Sequence, residues 1–505
     1  MRTMRQSFDR RIDKKGGFLI MKKIIALVMA ALMLLVSCSF SLAEVPEGYP
    51  EIIEGLDFGG QTIWIYDWWS SDDENHSART AEPDEDTQKR YDYIDWLEAT
   101  YNCKIVETAL SDWAGNPSEL ANMVMNGDNS KLCIIAVASD FAGTPLANDL
   151  YMPWQIDLSG EKWNKAASDF CTKGGKVYGV HVGKTEPRSC VFFNKRVLTE
   201  AGIDPESIYD AQADGTWTWD MMIDMMEKVQ RDIDNDGIND IYGMVGSGDE
   251  LAIGLMFSNN AAFFDYNEEG KLAIACNSQA ALDALQMRKT MAENYMAPQP
   301  EGSNWDWFKD YWKQGTTAFY PGQTWQGFNP NAEMSDMADE WGAVMFPKGP
   351  NAETYLAMAC DNIYGIPNVY DDETSLKIQQ IYDLYTNDTP GVDTEDAWIG
   401  DKYLYTDERA VDETYAMMRQ DEHAVANKTY LLGSTNDVLG SALLWGPIGS
   451  MTPAEAVESA TPVWQDMLDV FNGDKTQEEI DAEHAAAEEA AAAAAEEVAE
   501  EAAGE

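Results

Sequence analysis

The chain has 505 residues, 45% hydrophobic and 11% aromatic, so it can bury a large core but is too long for a single compact one. Its formal net charge is −53, from 88 Asp and Glu against 35 Lys and Arg, which makes nucleic acid and anionic lipid poor partners for the folded body. Seven Cys with no Cys-x-x-Cys pair, and four scattered His, argue against a disulfide framework and against zinc.

Residues 1–20 read as an upstream extension of the gene, because Lys14-Lys15-Gly16-Gly17 can be encoded by a purine-rich ribosome-binding sequence just before Met21. Met21-Lys22-Lys23 then opens a basic segment, and Ile24 to Val36 is an unbroken apolar run. That run has the length of a secretory signal core and is short for a membrane span. Within the signal segment 21–43, two processing sites compete. Leu35-Val36-Ser37-Cys38 resembles a lipoprotein box, which would put a lipid anchor on Cys38. Ser41-Leu42-Ala43 fits ordinary signal peptidase. Either route places the mature chain outside the cytoplasmic membrane, secreted or anchored to its outer face.

The body alternates strands and helices. Gln61 to Tyr66 alternates and is β-prone, followed by the aromatic loop Asp67-Trp68-Trp69-Ser70-Ser71. Thr87 to Tyr101 has Tyr93, Ile94, Leu97 and Tyr101 on one helical face, and Lys104 to Glu107 is a second strand. Ser118 to Met125 predicts another helix. The continuous apolar run Leu132 to Ala138 suits a parallel strand covered on both faces. Repeated strand–helix–strand units predict an α/β lobe with its ligand loops at the strand C-terminal ends. Further on, Thr218 should cap a helix with Met222, Met225, Met226 and Val229 on its buried face, and Gly202 should close the helix before it.

Several segments in order carry a family pattern. These are Gly175-Lys176-Val177-Tyr178-Gly179, Phe193-Asn194-Lys195 through Ala201-Gly202, Thr216-Trp217-Thr218-Trp219-Asp220, Phe308 to Phe319, and Trp341-Gly342 through Pro347-Lys348-Gly349-Pro350. Across about residues 55–475 they resemble the family 1 extracellular solute-binding proteins, the carbohydrate-binding components of ATP-binding-cassette importers. The resemblance implies an α/β, two-lobe periplasmic-binding-protein-like fold with hinge crossovers and a ligand cleft between the lobes. It places the first lobe at 55–190 plus 347–361 and the second at 191–346 plus 362–475. It also implies a sugar ligand, permease subunits as partners, and a monomer without catalytic residues.

The cleft candidates follow from chain position. Trp68 and Trp69 end the first strand, Trp113 follows the second, and Trp325 sits in a Gly-x-x-Trp turn similar to one that carries a stacking aromatic in the family. Flat C–H faces of sugar rings pack on such aromatics, while their hydroxyls need carboxylate, amide or guanidinium partners. Asp67, Asp140, Glu186, Arg188, Asp249, Glu250 and Asp361 are the polar candidates. Trp217 and Trp219, at a helix start, are expected in the core.

Asp232-Ile-Asp234-Asn-Asp236-Gly237-Ile238-Asn-Asp240 follows the calcium loop of an EF-hand, with oxygens at positions 1, 3, 5 and 9 and the Ile238 carbonyl at 7. Position 12 is Gly243, where the usual bidentate Glu is missing. The two readings are a structural Ca2+ site and a metal-free Asx-turn loop. From Thr476 the chain is an Ala/Glu-rich tail (476–505) with 11 acids and no Lys or Arg, expected to be a solvated helix. Setting aside that tail and the net +6 of residues 1–43 leaves 44–475 at −48, so the acidity belongs to the body. A secreted glycoside hydrolase would also be acidic and Trp-rich, and a ligand-sensing domain would share the fold. No hydrolase motif, Gly-x-Ser-x-Gly elbow or His-Glu-x-x-His sequence favours the enzyme.

Overall fold

The computed structural model describes residues 45–70, 79–185, 187–328, 334, 337–359, 361–393, 398–399 and 407–503, with side chains as far as 492. The upstream extension, the signal segment with Cys38 and Ala43, and Glu186 lie outside the described residues. Within the unit Met1–Gly55, the Tyr49 amide donates to the Pro46 carbonyl at 3.0 Å. Every element below belongs to the unit Leu56–Glu505. Among the described residues no helix is long and apolar enough to cross a membrane.

β1 (Thr62–Asp67), β2 (Lys104–Ala109) and β3 (Leu132–Ala138) form the first sheet, and β1 pairs in parallel with both neighbours. The crossovers are α1 (Glu85–Tyr101) and α2 (Asn116–Asn126). Asp84 caps α1 by accepting from the Thr87 amide, and Tyr93, Leu97 and Tyr101 are its buried side chains. Six of seven β3 residues are buried, as a strand covered on both faces requires.

The second sheet has the order β7-β4-β6-β5, built from β4 (Ser189–Asn194), β5 (Tyr242–Met244), β6 (Thr317–Gln323) and β7 (Trp341–Val344). β4 runs antiparallel to both β6 and β7, and β5 is parallel to β6. Thr218 caps α3 (Trp219–Val229), whose Met222, Met225, Met226 and Val229 are buried as the periodicity predicts. Trp217 and Trp219 are core residues, their indole N–H groups donating to Met345 O (2.9 Å) and Ser258 Oγ (3.2 Å). Gly202 takes φ 75°, a left-handed turn that ends the helix before it.

The structure moves two lobe boundaries. Residues 348–355, expected in the first lobe, stay with the second: the Lys348 amide donates to Trp217 O, the Gly349 amide to Ser258 O, and Tyr355 Oη to Ala211 O. β9 (Asn362–Gly365) pairs antiparallel with β3, so it completes the first sheet in the order β9-β3-β1-β2. The following α5 (Asp372–Tyr385) packs on α1 and β3, with Tyr93 Oη donating to Leu384 O at 2.7 Å. Residues 362–385 therefore belong to the first lobe, and the expectation that the second lobe resumes at 362 is wrong. The chain is back in the second lobe by Ala410–Tyr415, which packs on β7. Between the lobes, the crossing segments are tied together: Pro187 bridges Ala359, and the Arg188 amide donates to Met358 O at 2.9 Å. The short strand β8 (Ala357–Ala359) also pairs with β10 (Ala424–Ala426). At the far end, Thr476 and Glu479 cap the helix Gln477–Ala503 reciprocally, and residues 481–492 are exposed, as expected for a solvated tail.

Candidate functional site

A cavity of about 1110 Å³ opens where the strand ends of both lobes meet. The first lobe contributes Trp113, from the loop after β2, and Asp140 with Phe141, just past β3. The Trp113 and Phe141 rings meet edge to face at 4.6 Å, which fixes the tilt of the exposed indole. All three sit beyond strand C-termini, where an α/β lobe presents its loops.

The second lobe supplies the larger share. α4 (Gly248–Ser258) is buried from Leu251 to Ser258, and its first turn faces the cavity through Gly248, Asp249 and Glu250. Ser247 caps it by accepting from the Asp249 amide at 3.2 Å. β6 ends at Gln323 and runs into a tight turn, Thr324–Gln326, that holds Trp325 out into the cavity. Gln326 Oε1 accepts from the Gln323 amide at 2.7 Å and locks this turn. Gly322 is needed there, since a Cβ would sit 2.5 Å from Gln326 Oε1 and 2.7 Å from the Tyr320 ring. Trp445 approaches from the end of the segment Asn436–Leu444. Trp305 and Trp307 come from the loop before Phe308.

Two indoles are held through their N–H edges, one by a carboxylate and one by a side-chain amide. Trp445 Nε1 donates to Asp249 Oδ2 at 3.0 Å. Trp325 Nε1 donates to Gln323 Oε1 at 2.7 Å, and Gln323 Nε2 in turn donates to Glu250 Oε1 at 2.6 Å. Both ring faces are thus oriented before any ligand arrives, which lowers the entropy lost on binding.

Asp140 and Glu250 are half-buried residues whose carboxyls are pushed towards the protonated form. Burial pushes Glu250 up to about 7, against the pull of the Gln323 hydrogen bond and the Arg188 charge, while Asp249 pushes in the same direction as burial. Burial likewise pushes Asp140 up to about 6, and Arg188 again opposes it. Glu250 Oε2 and Asp140 Oδ1 are buried and have no hydrogen-bond partner. Burial lowers the pKa of Arg288, with Asp249 opposing. Its Nη2 and Nε face the carbonyls of Leu444 (3.3 Å) and Gly248 (3.4 Å), bracing the wall.

Of the eleven residues anticipated for the cleft, Trp113, Asp140, Asp249, Glu250 and Trp325 line this one cavity. Asp67 does not: it is 2% exposed and turns inward to its own loop, accepting from Trp69 N, Ser70 N and Ser70 Oγ. Trp68 and Trp69 pack edge to face in that loop and are not among the lining residues. Arg188, at the crossing, is not among the lining residues, though its charge bears on Asp140 and Glu250. Asp361 is buried beside His181, 3.7 Å away, at a separate small void next to Ser139 and Asn427. Trp305, Trp307, Trp445, Arg288 and Gln323 were not anticipated. Trp305-Asp-Trp307 carried a usable signal, an aromatic pair in a polar stretch after Gly302-Ser303. Trp445 ends an apolar run that reads as core.

Asp232, Asp234 and Asp240 bring one carboxylate oxygen each within 4.8 Å of one another. Asn235 (φ 66°) and Gly237 (φ 92°) turn the backbone around them. Five loop amides donate to Asp232, Asp234, Asp236 and Asp240, as an Asx-rich turn would have them. Asp236 is outside the converging trio.

Residues 92–388 match the family model of a bacterial extracellular solute-binding protein. No curated protein matches the chain. Among solved structures, the fold is similar to a cyclo/maltodextrin-binding protein complexed with maltotetraose, at TM-score 0.53 and 14% identity, covering 81% of this chain and 97% of that one. It is also similar to UspC of M. tuberculosis, at TM-score 0.54 and 14% identity over 80% and 100% of the two chains. A cyclic alpha-maltosyl-1,6-maltose binding protein from Arthrobacter globiformis gives TM-score 0.53 and 16% identity over 82% and 100%. These likenesses establish the two-lobe solute-binding fold.

Proposed function

Because the chain belongs to the bacterial extracellular solute-binding proteins, we propose that it captures a sugar or oligosaccharide in the cavity between its lobes and delivers it to an ATP-binding-cassette permease. One observation carries this reading. Among the described residues five tryptophans are exposed, and four of them (Trp113, Trp305, Trp325 and Trp445) line the same cavity. An apolar surface left open and rimmed by polar groups marks a binding site. Indole faces held by carboxylate and amide edges suit pyranose rings, whose C–H faces are flat and whose rims are hydroxyls. At about 1110 Å³ the cavity exceeds the roughly 300–1,000 Å³ of ordinary small-ligand pockets, which favours an oligosaccharide. The family and its structural relatives are binding proteins, and no residue set here is assigned a catalytic step. Cleavage after Ala43 with free secretion is the proposed processing, and a lipid anchor on Cys38 is the alternative.

A thermal-shift screen over an oligosaccharide panel tests the reading. One or more glycans should raise the melting temperature and be recovered intact, since a ligand that binds only the native state stabilises it. Recovery of shortened products would point to a hydrolase instead.

The Asp232–Asp240 loop is proposed to hold a structural Ca2+, with Asp232, Asp234 and Asp240 as carboxylate ligands and the Ile238 carbonyl in support. The convergence of three carboxylates on one small space supports this, because gathering like charges is costly unless a cation neutralises them. Chelator should lower the melting temperature and added calcium restore it, whereas Asp234→Ala should be indifferent to both. A calcium response that survives in Asp234→Ala would remove the assignment. No residue of the loop lines the cavity, so sugar affinity should change little.

A further inference from the structure

Three acids, Asp140, Asp249 and Glu250, and two bases, Arg288 and Lys309, line the cavity among the described residues. Most of these charges are already committed. Asp249 Oδ2 holds the Trp445 indole, Arg288 faces two backbone carbonyls, and Lys309 lies 3.8 Å from Asp306 and 5.7 Å from the Trp305 ring centre. What is left is one carboxyl on each lobe with an unpartnered buried oxygen: Asp140 Oδ1 from the first and Glu250 Oε2 from the second. The charge of Arg188 opposes the effect of burial on both carboxyls.

We infer that the cavity takes a cationic saccharide, one with a free amino group in place of a hydroxyl, seated between Asp140 and Glu250. The inference rests on the saccharide reading and narrows its ligand class. A buried carboxylate oxygen without a partner is costly, and burial pushes both groups towards the protonated form. An ammonium entering between them supplies a positive charge and up to three donors for the two unpartnered oxygens, which a neutral hydroxyl cannot match. The indoles reinforce the preference, because a cation is attracted to an aromatic face most strongly when both are desolvated. The −48 of residues 44–475 also raises the local concentration of a cation and repels an acidic sugar.

Matched pairs separate charge from shape: oligosaccharides of glucosamine and of galactosamine against the same chains fully N-acetylated, with maltotetraose and cellotetraose as uncharged references. Titration calorimetry should show the free-amine member of a pair binding at least tenfold tighter than its acetylated partner, with a preference that shrinks as salt is raised. Glu250→Gln and, separately, Asp140→Asn should each collapse that ratio towards one, so a misfolded single variant does not remove the test. If only uncharged glycans bind, the charge assignment is overturned and the sugar reading stands. If nothing in the panel binds, both fall.

Discussion

Trp325→Ala should weaken glycan binding more than tenfold while leaving the fold and the calcium response intact. Its indole is 42% exposed and is fixed by the Gln323 bridge to Glu250, so its removal costs a preorganised stacking face and little core. Loss of an aromatic anchor of this kind commonly costs about 2 kcal/mol or more, and 1.4 kcal/mol is already tenfold. Trp219→Ala is the opposite case. That ring is 4% exposed and bonded to Ser258 Oγ, so its truncation should cost about 3–5 kcal/mol of stability, with near-normal affinity in the protein that remains folded. Calorimetry with the cognate glycan and parallel thermal melts separate the two variants. Normal binding by Trp325→Ala would displace the site from this cavity, while family membership would stand.

What the sequence reveals about this molecule follows the range of the forces involved. β1, β3 and α3 are set by local alternation and 3.6-residue periodicity, and their observed spans agree with those patterns to within a residue or two. Asp140, Asp249, Glu250, Trp113 and Trp325 could be placed because each follows a strand or opens a helix, the positions from which loops reach a cleft. Asp67 occupies the same kind of position, yet two amides and a hydroxyl of the next three residues claim its oxygens. Competition between a short acidic side chain and its own backbone is decided by loop geometry that residue order does not show. β9 went to the wrong lobe for a related reason: its partner β3 lies more than two hundred residues earlier, and such pairing leaves no local trace. Trp445 was hidden because an exposed indole after an apolar run looks like a buried one until Asp249 is brought beside it.

Gly254→Ala should destabilise the protein, although the same change in an open helix would help. In a helix interior alanine is favoured over glycine by about 1 kcal/mol. At Gly254, in the middle of α4, a Cβ would lie 2.0–2.3 Å from three atoms of the Phe346 ring. Phe346 is 1% exposed, and α4 is pinned against β4, β6 and β8, so neither side can yield cheaply. Overpacking of this kind typically costs about 1–3 kcal/mol, enough to outweigh the propensity gain. The consequence reaches the site, because a displaced α4 carries Asp249 away from the Trp445 N–H and Glu250 away from Gln323. Glycan affinity should therefore fall together with stability. Phe346→Leu removes part of the obstructing ring at the cost of a small cavity, so Gly254→Ala with Phe346→Leu should be more stable than the two single losses added together. Chemical denaturation of all four proteins closes the cycle. Strict additivity, or a Gly254→Ala protein more stable than the parent, would show that the contact with Phe346 does not constrain α4.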